Sequence, residues 1–163
     1  MKKIEAAKKG ALNPLPKIIV SSRLGKEENA LVVAYCGNCS FAPPMVMVGI
    51  VPSRYSYTMI KDSGCFVINI PASDFIEEYN YLGSVSRRDE DKLQVKNIKT
   101  QNGDVVDAPL LSDCPVNIEC TVVDSIITGS HEMFVGKVEK VHAPAEMVNN
   151  DGVIDFSKIQ LIK

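Results

Sequence analysis

The chain has 163 residues, 45% hydrophobic and 23% charged, with 18 basic and 20 acidic side chains and a formal charge of −2. That length fits one domain, residues 1–163, around a single core, and the near-neutral balance offers no field to draw in nucleic acid or an anionic membrane. No apolar run reaches the roughly 18–20 residues of a membrane span, and the charged start Met1-Lys2-Lys3-Ile4-Glu5 opens no signal region, so a cytoplasmic protein is expected.

In chain order, Lys17-Ile18-Ile19-Val20-Ser21-Ser22 predicts a strand closed by the turn Arg23-Leu24-Gly25-Lys26. Ala30 to Tyr35 predicts a second, ended by a break at Gly37-Asn38. Pro43-Pro44 blocks helix ahead of the apolar run Met45 to Val51, a central strand. Ser56 to Ser63 predicts a short helix with Ser53 or Ser56 as N-cap and Gly64 as its left-handed stop. Cys65 to Ile70 is strand-like and stops at Pro71. Ser73 to Tyr79, with a Ser cap and acids in its first turns, predicts helix. The polar stretch Gly83 to Leu111 predicts a long loop, a length that in compact domains is usually functional or disordered. Val116 to Val123 and His131 to Val141 predict two long strands, with the turn Thr128-Gly129-Ser130 before the second. Short strands spaced by turns, with two modest helices, predict a closed barrel in a mainly β chain.

Five cysteines, Cys36, Cys39, Cys65, Cys114 and Cys120, predict free thiols in a chain without an export signal. The CxxC at Cys36 and Cys39 offers a redox pair or half a metal site, but Cys114 and Cys120 are spaced six apart, a poor match to a zinc ribbon. The two commonest nucleotide fingerprints, the Walker-type phosphate loop and GxGxxG after a strand, are absent, as are HExxH and Gly-x-Ser-x-Gly. Pro52-Ser53-Arg54-Tyr55-Ser56-Tyr57-Thr58 sets hydroxyls and a guanidinium at a helix start, where free N–H groups and the dipole favour an anion. Arg87, Arg88 and Lys92 add cationic donors. Taken alone, Ser56 could simply cap the helix, the basic loop could be solvated surface, and Asn29 and His131 could be turn residues.

The order of short motifs resembles the flavin-reductase-like FMN-binding split-barrel family, particularly its flavoredoxin-like branch. The pieces are Ile19-Val20-Ser21-Ser22 with Asn29-Ala30, then Ser40-Phe41-Ala42-Pro43-Pro44-Met45-Val46 and Tyr55-Ser56-Tyr57-Thr58-Met59-Ile60. Ser63 to Asn69, Arg87-Arg88-Asp89-Glu90-Asp91-Lys92, Pro109-Leu110-Leu111, Ile118-Glu119-Cys120 and Gly129 to Val138 follow. The resemblance implies a six-stranded Greek-key split β-barrel with a few short helices, dimerising, with FMN near the subunit interface. It implies that Asn29 and Ala30 approach the isoalloxazine or its polar edge with Tyr35 packed beside it. Ser53, Arg54, Ser56, Arg88 and Lys92 would hold the phosphate and ribityl tail, and His131 would sit beside the flavin as the catalytic candidate, with no metal required. The implied activity is an FMN-dependent oxidoreductase or electron carrier, in which the flavin supplies the chemistry and the protein binding and orientation. NADH, NADPH or a redox protein would be its partner. A flavin-storing module without turnover and a CxxC metal protein are the alternatives. Two departures from the family pattern stand out: Tyr35 where a Trp is common, and an end at Lys163 where the family continues with a segment over the flavin.

Overall fold

In the computed structural model, which describes residues 1–162, the β-branched runs pair into one antiparallel sheet. Its strands are β1 (Ile18–Leu24), β2 (Glu27–Val33), β3 (Cys36–Ser40), β4 (Met45–Ile50), β5 (Cys65–Ile70), β8 (Val116–Thr128) and β9 (His131–His142), in the order β2-β1-β5-β8-β9-β4-β3. The separate pair β6 (Thr100–Asn102) and β7 (Pro109–Leu111) lies in the connection from β5 to β8.

The two edge strands, β2 and β3, are consecutive in the chain and only Ala34 and Tyr35 lie between them. So short a link reaches no more than about 10 Å, so the sheet has to curl until its edges nearly meet. Gly49 N–H donates to Tyr35 C=O at 2.7 Å, stitching that corner to β4. The result is a barrel with the seam of a split barrel.

Two expectations change. Gly37 and Asn38 are not a break: they lie inside β3 and pair with Met47 and Val46, which raises the strand count of the main sheet from the expected six to seven. The run Cys36-Gly37-Asn38-Cys39-Ser40 has little strand propensity of its own, and a bulge interrupts it between Asn38 and Ser40; pairing with the strongly apolar β4 makes it a strand. The Gly83–Leu111 segment is not one loop either. It holds a short helix α3 (Lys92–Val95) as well as β6 and β7, and it buries Leu93, Ile98, Val106, Ala108, Leu110 and Leu111.

Inside the barrel, Val20, Val48, Ile50, Ile60, Phe66 and Phe134 form the main core. Residues Ile18 to Ser22 of β1 are all buried because both faces are covered: Val20 points into that core, while Ile19 points out into a second cluster with Ala30, Leu82, Leu93 and Leu111. Gly136 is where β9 passes closest to Phe66, since a Cβ there would meet Phe66 Cζ at 2.6 Å. Outside the barrel, Glu119 is fully buried and gathers the segment after β6: its oxygens accept from the backbone N–H of Asp104, Val105 and Val106 at 3.0, 2.8 and 2.9 Å.

Candidate functional site

Helix α1 (Tyr55–Ser63) follows β4 and ends, as the sequence predicts, at Gly64 with φ 71° and its N–H on Ile60 C=O. Its start differs from expectation. Arg54 occupies the N-cap position, and neither Ser53 nor Ser56 supplies a side-chain cap. Ser56 is fully buried and its Oγ accepts from Asn29 Nδ2 on β2 at 2.8 Å. No side chain caps the start of α1, and Ser53 to Ser56 line a polar cleft.

The predicted helix from Ser73 is divided into a 3-10 turn, Ser73–Phe75, and helix α2 (Ile76–Ser84). Between β2, the start of α1 and the α2–α3 connection lies a cleft of about 100 Å3, lined among others by Asn29, Ser53, Arg54, Ser56, Arg88 and Lys92. Six residues named from the sequence thus come together from three chain segments. Lys92 is 2% exposed and donates to Leu82 C=O at 3.0 Å, an orphan carbonyl of the last turn of α2. Burial, helped by the nearby Arg54 charge, lowers its ammonium pKa to about 8. Arg88 Nη1 donates to Ser53 C=O at 2.9 Å across the cleft mouth.

Two residues at or near the cleft, Gly83 and Tyr81, had no separate signal in the sequence. Arg87, ion-paired to Asp91 at 3.2 Å, and Arg88 both lie over the Tyr55 ring, 6.0 and 5.7 Å from its centroid. Gly83 faces the cleft where any side chain would press on Val32 at 3.3 Å. Tyr81, hydrogen-bonded to Glu90, tethers the loop that presents both arginines. That bond to Glu90 pushes the Tyr81 phenol up to about 12.

Among the described residues, two buried side-chain polar atoms lack a hydrogen-bond partner: Asn29 Oδ1 and Arg87 Nε. Both belong to residues lining this cleft. Buried polar groups are paired in nearly all native structures, so an orphan acceptor and an orphan donor beside a buried lysine mark a place for a ligand.

Ala30, Tyr35 and His131 lie elsewhere. Ala30 is fully buried in the second cluster behind β2, so only its backbone can approach a ligand. Tyr35, 45% exposed at the β2–β3 corner, meets the His131 ring edge-on with centroids 4.9 Å apart. Asn29 on β2 and Tyr35, two residues past its end, are separated by at most about 20 Å of chain. His131 Nδ1 contacts Ser130 Oγ at 2.8 Å. The adjacent Glu132, 4% exposed, accepts from Tyr57 on α1 at 2.5 Å and from Ser125 on β8 at 2.6 Å, so the strand carrying His131 is bonded to the helix that opens the cleft.

All five cysteines are free; Cys114 and Cys120, the conceivable partners of the CxxC, are buried in different clusters. Asp104, Glu119 and His142 approach one another as metal ligands could. Glu119 is already filled by three N–H groups and by His142 Nε2 at 2.6 Å, and Asp104 pairs with Lys140 at 2.5 Å. No helix among the described residues is long and apolar enough to cross a membrane.

A relative from Aeropyrum pernix is 28% identical over 132 residues, 80% of this chain and 50% of its own length. The NADH-dependent flavin reductase of Rhodococcus sp is 29% identical over 103 residues, 63% of this chain and 53% of its own. The chain thus spans about half the length of these curated relatives. The flavoredoxin of Desulfovibrio vulgaris (Miyazaki F) superposes with a TM-score of 0.88 at 28% identity, covering 97% of this chain and 85% of that one. The flavin reductase like domain model matches residues 11–158. With that span matched and the split barrel in place, the chain belongs to the flavin reductase like domain family.

Proposed function

We propose that the chain is an FMN-dependent oxidoreductase, holding the flavin phosphate in the Lys92 cleft and passing electrons from NADH or NADPH, or from a redox protein, to an acceptor. The observation that carries the reading is the gathering of a buried Lys92 and two orphaned polar atoms, Asn29 Oδ1 and Arg87 Nε, at a helix start without a side-chain cap. That donor set fits a phosphate monoester: an ammonium, guanidinium groups, the Ser56 hydroxyl and free N–H groups. Lys92, Arg87, Arg88 and the start of α1, with Ser53, Arg54 and Ser56, would hold the phosphate. Tyr35 and His131 would flank the ring, with His131 as the catalytic candidate. Bound FMN supplies the hydride and electron chemistry; the protein anchors one end so that the other end has a fixed position.

A homodimer belongs to the same reading. Its candidate face is the outer half of the β8–β9 hairpin, where Val123, Ile126 and Ile127 stand 49%, 62% and 73% exposed. Five unpaired thiols are in keeping with a cytoplasmic location.

The test is the absorbance spectrum of the protein loaded with FMN, followed by anaerobic NADH or NADPH. Bleaching of the visible flavin band, with turnover on re-aeration, is expected of a reductase; bleaching only by a reduced protein donor points to the carrier. A protein that stays colourless and rejects added FMN refutes the reading.

A further inference from the structure

We infer that Glu132 is a positioning residue of the flavin site: the hydrogen bonds between α1 and β9 converge on it, and it thereby fixes the spacing between the cleft at the start of α1 and His131 on β9. The inference rests on the FMN reading above and adds a residue that touches no ligand.

Glu132 breaks the local pattern of β9. Glu132, Phe134 and Gly136 alternate as the buried positions of the strand, and Phe134 fills the barrel core. An apolar side chain at position 132 would continue that face at no desolvation cost, yet a carboxylate stands there 4% exposed. Bonds from Ser125 and Tyr57 hold its carboxyl below the usual carboxylate range, so it is ionised at neutral pH. A local rule broken with no gain in packing marks a functional demand.

Its two oxygens reach two neighbouring elements. Oε2 accepts from Tyr57 Oη at 2.5 Å and lies 3.5 Å from Lys61 Nζ, both on α1, while Oε1 accepts from Ser125 Oγ on β8 at 2.6 Å. Among the described residues, every hydrogen bond between α1 and β9 ends on Glu132. Tyr57 follows Ser56, which lines the cleft, and Glu132 follows His131. The link from the cleft to His131 is therefore one residue along α1, one hydrogen bond and one residue along β9. The remaining contact of Tyr57 with Phe134, ring centroids 5.8 Å apart, is apolar and non-directional, whereas the bond to a carboxylate is directional and strong. A flavin anchored by its phosphate at α1 meets His131 only as well as this frame is set, and a misplacement of about 1 Å costs on the order of 100-fold in reactivity.

The experiment measures the dissociation constants of oxidised FMN, by fluorescence titration, and of reduced FMN, from a mediated redox titration with dithionite. The proteins are the wild type, Tyr57→Phe, Glu132→Gln, Glu132→Leu, His131→Phe and the double variant Tyr57→Phe/His131→Phe. The ratio of the two constants reads the surroundings of the ring, independently of the physiological donor. Tyr57→Phe breaks the link and keeps the carboxylate charge; Glu132→Gln keeps hydrogen-bonding atoms at the link and removes the charge. His131→Phe is expected to change the ratio about threefold or more, and Tyr57→Phe and Glu132→Leu to change it in the same direction while oxidised FMN binds within about threefold of the wild type. Glu132→Gln is expected within about twofold of the wild-type ratio, and the double variant within about twofold of His131→Phe. Should Glu132→Leu fail to fold, Tyr57→Phe and its double variant decide the matter. A wild-type ratio in Tyr57→Phe or in His131→Phe overturns the inference, as does a Tyr57→Phe effect that persists in full without His131. A Glu132→Gln change as large as that of Glu132→Leu makes the effect one of charge and overturns it too. All of these leave the FMN reading standing; failure of the wild type to bind FMN overturns both.

Discussion

Replacing Lys92 with Met should make the free protein more stable and its flavin binding weaker. Lys92 has a folded pKa near 8 against an ordinary value of 10.5, because burial and the Arg54 charge disfavour the ammonium. The sign follows from linkage: above pH 10.5 the amine is neutral in both states and costs nothing, whereas below pH 8 it must be charged in a buried place. At about 1.4 kcal/mol per pH unit, the burden at pH 7 is about 3 kcal/mol. Met fills the space of the lysine stem but gives up the bond to Leu82 C=O, worth about 1 kcal/mol, so a net gain of about 2 kcal/mol remains. For a chain of this size that is a rise in Tm of roughly 4–8 °C. FMN affinity should fall by about 10–100-fold, the equivalent of a lost charge-assisted contact of about 1.5–3 kcal/mol. An anion raises the pKa of Lys92, so wild-type FMN affinity should be flat below pH 8 and decline above it; in Lys92→Met that decline should vanish. Thermal unfolding of the flavin-free proteins and fluorescence titration from pH 6.5 to 10 measure all three quantities. An unchanged FMN Kd, or a lower Tm with the alkaline decline intact, refutes the assignment of Lys92 as the buried phosphate cation.

Four further outcomes are expected. For Glu119, burial alone would raise the carboxyl pKa, but bonds from His142 and three backbone N–H groups win and hold it at about 2. The resulting stability, about 3 kcal/mol, is present above pH 4.5 and lost as pH falls towards 2, so Glu119→Gln should lower urea resistance at pH 7 and flatten its loss on acidification. Gly136→Ala drives a methyl into Phe66 Cζ and Cys120 Cβ, 2.6 and 2.9 Å from the ideal Cβ position, and should cost about 1–3 kcal/mol in chemical denaturation. His131→Phe should keep Tm within 2 °C, since the ring is only part-buried and its one polar contact is to the exposed Ser130, while changing the rate of flavin reduction in stopped flow; a lowered Tm with an unaltered rate makes His131 structural. Ile127→Lys, at a side chain 73% exposed, should shift light-scattering mass from dimer to monomer without loss of fold.

The barrel strands were legible where side chains speak for themselves. Cys65 to Ile70 is strand from end to end because its run is apolar and bounded by Gly64 and Pro71. Edge strand β3 was not, since Cys36 to Ser40 owes its conformation to β4 rather than to its own residues. The Gly83–Leu111 segment looked like one loop because Leu93 and Ile98 stand singly among polar neighbours and the apolar stretches Val105-Val106 and Ala108 to Leu111 are short. For the cleft, residue types pointed to an anion, and resemblance supplied which ones. Neither could reveal that Ser56 turns inward to Asn29 instead of capping α1, because a cap and a buried serine look alike in sequence.

The order β2-β1-β5-β8-β9-β4-β3 also bears on how the chain is made. A ribosome delivers every lining residue of the cleft, from Asn29 to Lys92, before any of the β8–β9 hairpin. Until that hairpin emerges the sheet exists as two pieces, β2-β1-β5 and β3-β4, and the turn bearing Ser53 and Arg54 hangs from the smaller one. Met45 waits for Lys137, more than half the chain away, before β4 gains its second neighbour. Closing so long a loop is slow compared with local pairing. Completion of the cleft accordingly waits on the β8–β9 hairpin, the keystone that joins the two pieces and brings a scatter of cations together.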